Sequence, residues 1–152
     1  MTTERDEDYL KIIDSIVEKK GYAKVKDVAK ELELGPSTVT GMFQKLAKAG
    51  YINYEKYGGA TLTPEGKEIA SQTKEIYGTL KEFLLALGLD EMTAGDDACK
   101  IEHILSPKTL EVFERFLEFS QKEEEASLWG GRLRHFLESG KYAGPSPGNK
   151  ND

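Results

Sequence analysis

Three side chains that can bind a transition metal lie within five residues of one another: Cys99, Glu102 and His103. Positions i, i+3 and i+4 share one face of a helix, so a thiol, a carboxylate and an imidazole would point the same way. A thiolate and a neutral imidazole favour iron, cobalt, nickel, zinc or copper, and the carboxylate extends the choice to manganese. A single helix cannot complete a coordination shell. The pattern therefore predicts a metal site that takes a further ligand from another segment.

The same residues have simpler explanations. A lone cysteine on a helix more often packs as a small apolar residue than binds metal, and Cys99 is the single cysteine of the chain. Glu102 and His103 could equally be ordinary surface residues. A redox sensor that uses the Cys99 thiol is a third interpretation. The metal site is a hypothesis that depends on the elements around it.

The first fifty residues have the pattern of a helix-turn-helix. Apolar residues at helical spacing predict helices over about residues 3–20, 24–32 and 36–49, and the last two are joined by a tight turn at 33–35. The outward face of the third helix is small, polar or basic. Its residues are Ser37, Thr38, Thr40, Gly41, Gln44, Lys45 and Lys48. Short side chains admit a DNA groove, hydroxyls and amides meet base edges, and lysines meet phosphates.

A hairpin is predicted directly after this helix. Residues 51–54 alternate as a strand does, residues 56–59 have turn chemistry, and residues 60–62 can return as the partner strand. A hairpin in this place is the wing of a winged helix. We predict that Lys56 and Tyr57 at its tip, together with Lys26 of the second helix, contact double-stranded DNA.

The charge distribution is compatible with a nucleic-acid partner. The chain of 152 residues has a net charge of −6, which by itself disfavours DNA binding. Residues 19–57, however, hold eight lysines against four acids, whereas residues 71–152 hold ten basic and fifteen acidic residues. Affinity depends on which charges reach phosphates, so a local basic face can suffice. Ordinary surface lysines are the alternative interpretation.

The rest of the chain is predicted to be helical. Thr63 and Pro64 have the residue types that cap and begin a long helix, and Gly88 ends it. A further helix should end near Leu105, because Ser106-Pro107 can cap and begin its successor. Apolar faces that exceed what this part can bury alone favour a homodimer.

The predicted fold class is therefore mainly α. An N-terminal winged helix-turn-helix DNA-binding domain (residues 1–70) is followed by an all-helical metal-binding and dimerisation domain (71–142) and a disordered tail (143–152).

The order of these elements, followed by Ala98-Cys99-Lys100-Ile101-Glu102-His103, resembles the diphtheria-toxin-repressor family of iron- and manganese-dependent regulators. Residues 21–40 and 54–59 resemble its manganese transport regulator branch in particular. The resemblance covers about residues 1–120. It implies a transcriptional regulator, most simply a repressor of metal-homeostasis genes, that binds a two-fold operator as a dimer.

The resemblance also implies a fourth ligand. The family takes one ligand from its N-terminal helix just before an aromatic residue, and Asp8-Tyr9 matches that place. Aspartate there is typical of the manganese branch, whereas Cys99 is typical of the iron branch. The set Asp8, Cys99, Glu102 and His103 is therefore expected to bind one divalent ion per subunit, Fe(II) or Mn(II).

The positions at which the family binds a second metal ion hold different residues here. They match Lys11, Tyr77, Lys81 and Gly95, none of which is a ligand as the family uses it. We hypothesise that the ammonium of Lys11 or Lys81 supplies the charge of the second ion by pairing with Asp8 or Glu102. The alternative is a winged-helix regulator that has lost metal control.

Other function classes find no support in the sequence. No apolar run approaches the ~18 residues that span a bilayer. The acidic, polar N-terminus is unlike a targeting signal, so a cytoplasmic protein is expected. No separate nucleophile, general base or substrate pocket is apparent, which disfavours an enzyme and a small-molecule substrate.

Overall fold

The helix and turn signals of the sequence become seven helices and one hairpin among residues 2–122 and 124–144, the part of the chain that the computed structural model describes. In chain order these elements are α1 (Glu4–Lys20), α2 (Val25–Leu32), α3 (Pro36–Lys48), β1 (Ile52–Glu55), β2 (Gly59–Leu62), α4 (Pro64–Ala86), α5 (Glu91–Ile101), α6 (Pro107–Lys122) and α7 (Glu124–Ser139). The predicted mainly α fold with an N-terminal winged helix-turn-helix is confirmed. The chain forms two compact units that divide between Ile76 and Tyr77.

Local signals set the ends of α1. Thr3 is its N-cap, and the backbone N–H of Asp6 donates to the Thr3 hydroxyl at 3.2 Å while the N–H of Thr3 donates to the Asp6 carboxylate at 3.0 Å. This reciprocal capping box satisfies donors that the first turn leaves open. Gly21 ends the helix at a φ of 87°, which a side chain would oppose.

The hairpin is tied to the helices of the first unit. β1 and β2 pair antiparallel, with Ile52 opposite Leu62 and Glu55 opposite Gly59. Ala60 of β2 also exchanges backbone hydrogen bonds of 2.9 and 2.8 Å with Ala23, in the connection between α1 and α2. The hairpin is therefore tied to the α1–α2 connection near its turn, at Ala60 opposite Tyr54.

A single apolar core fixes α3 within the first unit. Val39, Phe43 and Leu46 on its inner side are buried together with core residues of α1, α2 and the hairpin. Phe43 also meets the ring of Tyr54 edge to face at 5.2 Å between centroids. Burial of side chains of this size stabilises by about 1.5–3 kcal/mol each, so the inner side decides how α3 presents its outer side.

The start of α4 packs closely onto the end of the α3–β1 connection. The Thr63 hydroxyl donates to the Gly50 carbonyl at 2.6 Å, and the Thr63 N–H donates to the Tyr51 carbonyl at 3.0 Å. A Cβ added to Gly66 would lie 1.9 Å from the Tyr51 carbonyl oxygen. Only glycine allows this approach, so Gly66 is a packing requirement.

A buried carboxylate joins α1 to α4. The Asp14 side chain accepts hydrogen bonds from the ammonium groups of Lys67 at 2.7 Å and Lys74 at 2.6 Å, and both lysines also contact Glu18 at 3.1 and 3.3 Å. Asp14 is 1% exposed. Burial raises the pKa of Asp14, but the hydrogen bonds from Lys67 and Lys74 outweigh this and hold it below the ordinary value of 3.8.

The described residues of the second unit form helices and the connections between them, with no strand. Phe83 of α4 stacks on Phe113 of α6 with ring centroids 4.1 Å apart and meets Phe116 edge to face at 5.4 Å. Asp90 caps α5 by accepting from the N–H of Thr93 at 2.9 Å. Several large apolar side chains remain exposed in this unit: Met92, Ile104, Val112 and Phe119.

The helix predicted to end near Leu105 ends at Ile101. The chain closes with a turn in which the N–H of Ile104 donates to the carbonyl of Ile101 at 3.0 Å. Pro107 disfavours helical backbone at the residue before it, so the chain must leave the helix ahead of α6. Of the predicted tail, Ala143 and Gly144 have no regular structure, and residues 145–152 lie outside the described residues. Across the described ranges, no helix is long and apolar enough to cross a membrane.

We predict that Asp14→Asn lowers the free energy of unfolding by about 1–3 kcal/mol at neutral pH, because two charge-assisted hydrogen bonds are weakened. Since the folded pKa is lowered, the Asp14 contribution is present above pH 3.8 and is lost as the pH falls through the folded pKa. Urea titrations at several pH values measure this. Glu18→Gln, an exposed carboxylate on the same lysines, is the matched control and should have a smaller effect. A difference between Asp14→Asn and wild type that does not shrink in acid would contradict this role.

Candidate metal centre and nucleic-acid interface

The outer side of α3 carries the residues that the sequence assigned to DNA. Ser37, Thr38, Gln44, Lys45 and Lys48 are exposed, and Thr40 is half-buried. The first turn contains no acidic residue. The positive end of the helix dipole is therefore not neutralised there, which favours a phosphate nearby. The amphipathic division that the sequence predicted for α3 is present.

The other basic candidates lie on α2 and on the hairpin turn. Lys26 of α2 is exposed, as is Lys56 of the turn. Tyr57 at the tip is 88% exposed, with the Lys56 ammonium 5.6 Å from its ring centre. Because these side chains are exposed, they are available to contact a nucleic-acid backbone.

Lys45 differs from the other lysines of this surface because it has an internal partner. Its ammonium lies 2.6 Å from one carboxylate oxygen of Asp6, a residue of α1 whose side chain is 5% exposed. Burial raises the pKa of Asp6, but hydrogen bonds from Lys45 and Thr3 more than offset this and hold the pKa below its usual range. No local sequence pattern predicts this pairing, because the two residues lie 39 positions apart in the chain.

Gly41 lies inside α3 on the exposed side. A Cβ added there would meet nothing within 4 Å. Glycine inside a helix is about 1 kcal/mol less favourable than alanine. Packing within the described chain does not account for this glycine.

Three of the predicted metal ligands lie in the second unit. Cys99 is half-buried on α5, Glu102 is the C-cap of that helix, and His103 follows in the turn. The side chains of His103 and Glu102 are 2% and 0% exposed, and His103 Nε2 lies 3.2 Å from Glu102 Oε1. An oxygen and a nitrogen donor withdrawn from water fit a divalent transition metal.

The fourth predicted ligand lies in the first unit. Asp8 is half-buried on α1, and the Lys11 ammonium lies 4.0 Å from its Oδ1. Neighbouring Tyr9 is a core residue, and within the described residues its buried hydroxyl has no hydrogen-bond partner. A carboxylate in this setting supplies the hard oxygen donor that manganese prefers.

Three of the positions matched to a second metal ion lie in the second unit. They hold Tyr77, Lys81 and Gly95. A Cβ on Gly95 would lie 3.4 Å from the Tyr77 hydroxyl and 4.0 Å from Lys81 Cε, so the three are neighbours. The Lys81 ammonium lies 2.5 Å from Glu91 Oε1, and its hydrogen bond to Glu91 raises the pKa of Lys81. The carboxylate that pairs with Lys81 in this unit is thus Glu91, whereas the sequence hypothesis named Asp8 or Glu102 as the partner of Lys11 or Lys81.

Two family models match the chain. The iron dependent repressor N-terminal DNA binding domain matches residues 1–60, and the iron dependent repressor metal binding and dimerisation domain matches residues 63–127. The HTH-type transcriptional regulator MntR of Bacillus pumilus is 41% identical over 84% of this chain and 89% of its own length. The regulator of the same name from Bacillus subtilis is 39% identical over 82% of this chain and 87% of its own.

Solved structures give the same fold. A protein described as a manganese-dependent transcriptional repressor in complex with manganese aligns with a TM-score of 0.68 and 28% identity, over 75% of this chain and 53% of that one. IdeR of T. acidophilum aligns with a TM-score of 0.65 and 30% identity, over 76% and 55%. The chain thus spans about half the length of these two proteins, whereas it spans most of the two curated relatives.

Proposed function

Because the chain belongs to the iron-dependent repressor family of metal-dependent transcriptional regulators, we propose that it is a repressor of metal-homeostasis genes. It binds a two-fold operator as a homodimer under the control of one divalent ion per subunit. The observation that carries this proposal is the buried Glu102–His103 donor pair, 3.2 Å apart, within the part of the chain matched to the metal-binding domain.

The proposed ligands are Asp8, Cys99, Glu102 and His103. The two carboxylates and the relatives named for manganese favour Mn(II). The half-buried thiol of Cys99 is the specific feature that favours Fe(II) instead. A bound ion supplies the positive charge that lets carboxylates from two parts of the chain share one centre.

The control of DNA binding follows from where these ligands are attached. Asp8 belongs to the proposed DNA-binding domain (residues 1–70), and the other three belong to the proposed dimerisation domain (71–142). All four can serve one ion only when the two domains take up one arrangement. Two-fold operators require recognition helices about 34 Å apart, so restricting the arrangement lowers the conformational cost of binding both half-sites.

The proposed DNA surface combines α3 with the wing. In this proposal base edges are contacted by Ser37, Thr38, Thr40 and Gln44, whereas lysines contact phosphates and set orientation. The lysines are Lys26, Lys45, Lys48 and Lys56, with Tyr57 beside the last. Gly41 lies at the centre of this surface, where a side chain would separate α3 from the groove.

We predict that Mn²⁺ strengthens DNA binding by about 5–150-fold, the usual range of such coupling. Asp8→Ala and Glu102→Ala should abolish this gain without preventing weak binding. Anisotropy titrations of a duplex selected from a random pool, with Mn²⁺, with Fe²⁺ under anaerobic conditions and with EDTA, measure the effect. Glu111→Ala, an exposed carboxylate on α6, is the matched control and should respond like wild type. If neither metal nor either ligand substitution changes affinity, the regulator is metal-independent.

We predict one tight Mn²⁺ ion per subunit, because Lys11 and Lys81 stand at the positions of a second ion and carry its charge. Isothermal titration calorimetry of the metal-free protein measures the stoichiometry. Two tight ions per subunit would show that the lysines do not replace the second metal.

We predict that Gly41→Ala raises the melting temperature by about 2–4 °C, because alanine favours the helix and meets nothing in the protein. The same change should weaken DNA binding by about fivefold or more, since an added methyl overpacks a close interface. Gly131→Ala in α7, another glycine whose Cβ would meet nothing, is the matched control and should stabilise without affecting DNA binding. If Gly41→Ala is stabilised but binds DNA with wild-type affinity, DNA does not contact α3 at Gly41.

A further inference from the structure

Asp6 divides its carboxylate between two elements. Oδ2 accepts the backbone N–H of Thr3 at 3.0 Å, which belongs to the N-terminal cap of α1. Oδ1 accepts the ammonium of Lys45 at 2.6 Å, which belongs to α3. A carboxylate that is 5% exposed is tolerated only when such partners replace water, and each oxygen here has one.

Lys45 is bound at one end and exposed along the rest. Its side chain is 53% exposed and stands on the outer side of α3, which also carries Gln44 and Lys48. The position of its ammonium is set by α1, from 39 residues earlier in the chain. A phosphate that reaches Lys45 must therefore either accept the position that Asp6 sets or compete with Asp6 for the ammonium.

The proposed metal ligand Asp8 follows Asp6 by two residues in the same N-terminal part of α1. Both residues belong to the same stretch of hydrogen-bonded helix, which fixes their backbone positions relative to each other. The chain thus contains a short physical route from Asp8 through Asp6 to the outer side of α3.

We propose that Asp6 and Lys45 are positioning residues that transmit metal binding at Asp8 to the DNA-contacting side of α3. The inference rests on the proposed function, because it assigns a route to that metal response. It assigns Lys45 a second role besides the phosphate contact that is proposed for both Lys45 and Lys48.

A static tie between α1 and α3 makes a different prediction. If the ion pair only stabilises the first unit, its loss lowers stability and shifts DNA affinity by the same factor with and without metal. If it transmits the metal response, its loss lowers the ratio of the two affinities. The ratio of the DNA affinity with metal to the DNA affinity without metal is therefore the informative measurement.

The experiment uses the full chain and the duplex selected from a random pool by Mn²⁺-loaded wild type. DNA affinity is measured with Mn²⁺ and with EDTA for Asp6→Asn, Lys45→Gln and the double variant. We expect each single substitution to reduce the metal-induced gain by about fivefold or more. The double variant should lose no more than the singles, because both remove the same interaction. Lys45→Arg, which keeps the charge and donors, should retain most of the gain.

Lys48→Gln is the matched control. It should weaken DNA binding by the same factor in both conditions and leave the gain unchanged. Should Asp6→Asn fail to fold, Lys45→Gln at a half-exposed position still tests the route, and a thermal melt verifies folding. If folded Lys45→Gln keeps the wild-type gain in DNA affinity on metal binding, the inferred route is wrong and the proposed metal response still stands. Absence of any gain in wild type overturns the metal response and this route together.

Discussion

The first unit depends on how α1 accommodates its buried acidic side chains. A carboxylate withdrawn from water must gain hydrogen bonds and a cation, or it destabilises the fold. Asp14 obtains both from Lys67 and Lys74 of α4, and Asp6 obtains them from the α1 cap and from Lys45 of α3. The buried acidic side chains of α1 therefore hold both α3 and α4 in place. Because these pairs are directional, they fix orientation where apolar packing alone would leave some freedom.

The apolar and polar sides of α3 have separate tasks. The buried side anchors the helix in a core shared with α1, α2 and the hairpin, and the exposed side keeps small and polar groups available for DNA. Gly66 and Gly41 illustrate the contrast between the two kinds of constraint. The first is required because a Cβ would strike the Tyr51 carbonyl, whereas no contact inside the described protein explains the second. The proposed contact between α3 and DNA would account for Gly41.

The candidate metal ligands combine features of both branches of the family. Glu102 and His103 form an enclosed oxygen–nitrogen pair, to which Cys99 would add a soft donor and Asp8 a hard one. The second-ion positions in the second unit carry a phenol, and the Lys81 ammonium there is bound to Glu91. One divalent ion per subunit is proposed because a phenol and an ammonium stand at these second-ion positions.

The sequence by itself determined the element types and the candidate residues. Capping residues, Pro36, Pro64 and the 3.6-residue periodicity are local signals, so helices, hairpin and the two sides of α3 followed from neighbours in the chain. It did not determine the Asp6–Lys45 or Asp14–Lys67 pairs, because partners 39 and 53 residues apart leave no local pattern. The end of α5 at Ile101 was also decided beyond the local repeat, by the turn that precedes Pro107. Only the tertiary structure decides which charges are neutralised internally and which remain for DNA, since that depends on which helices pack together.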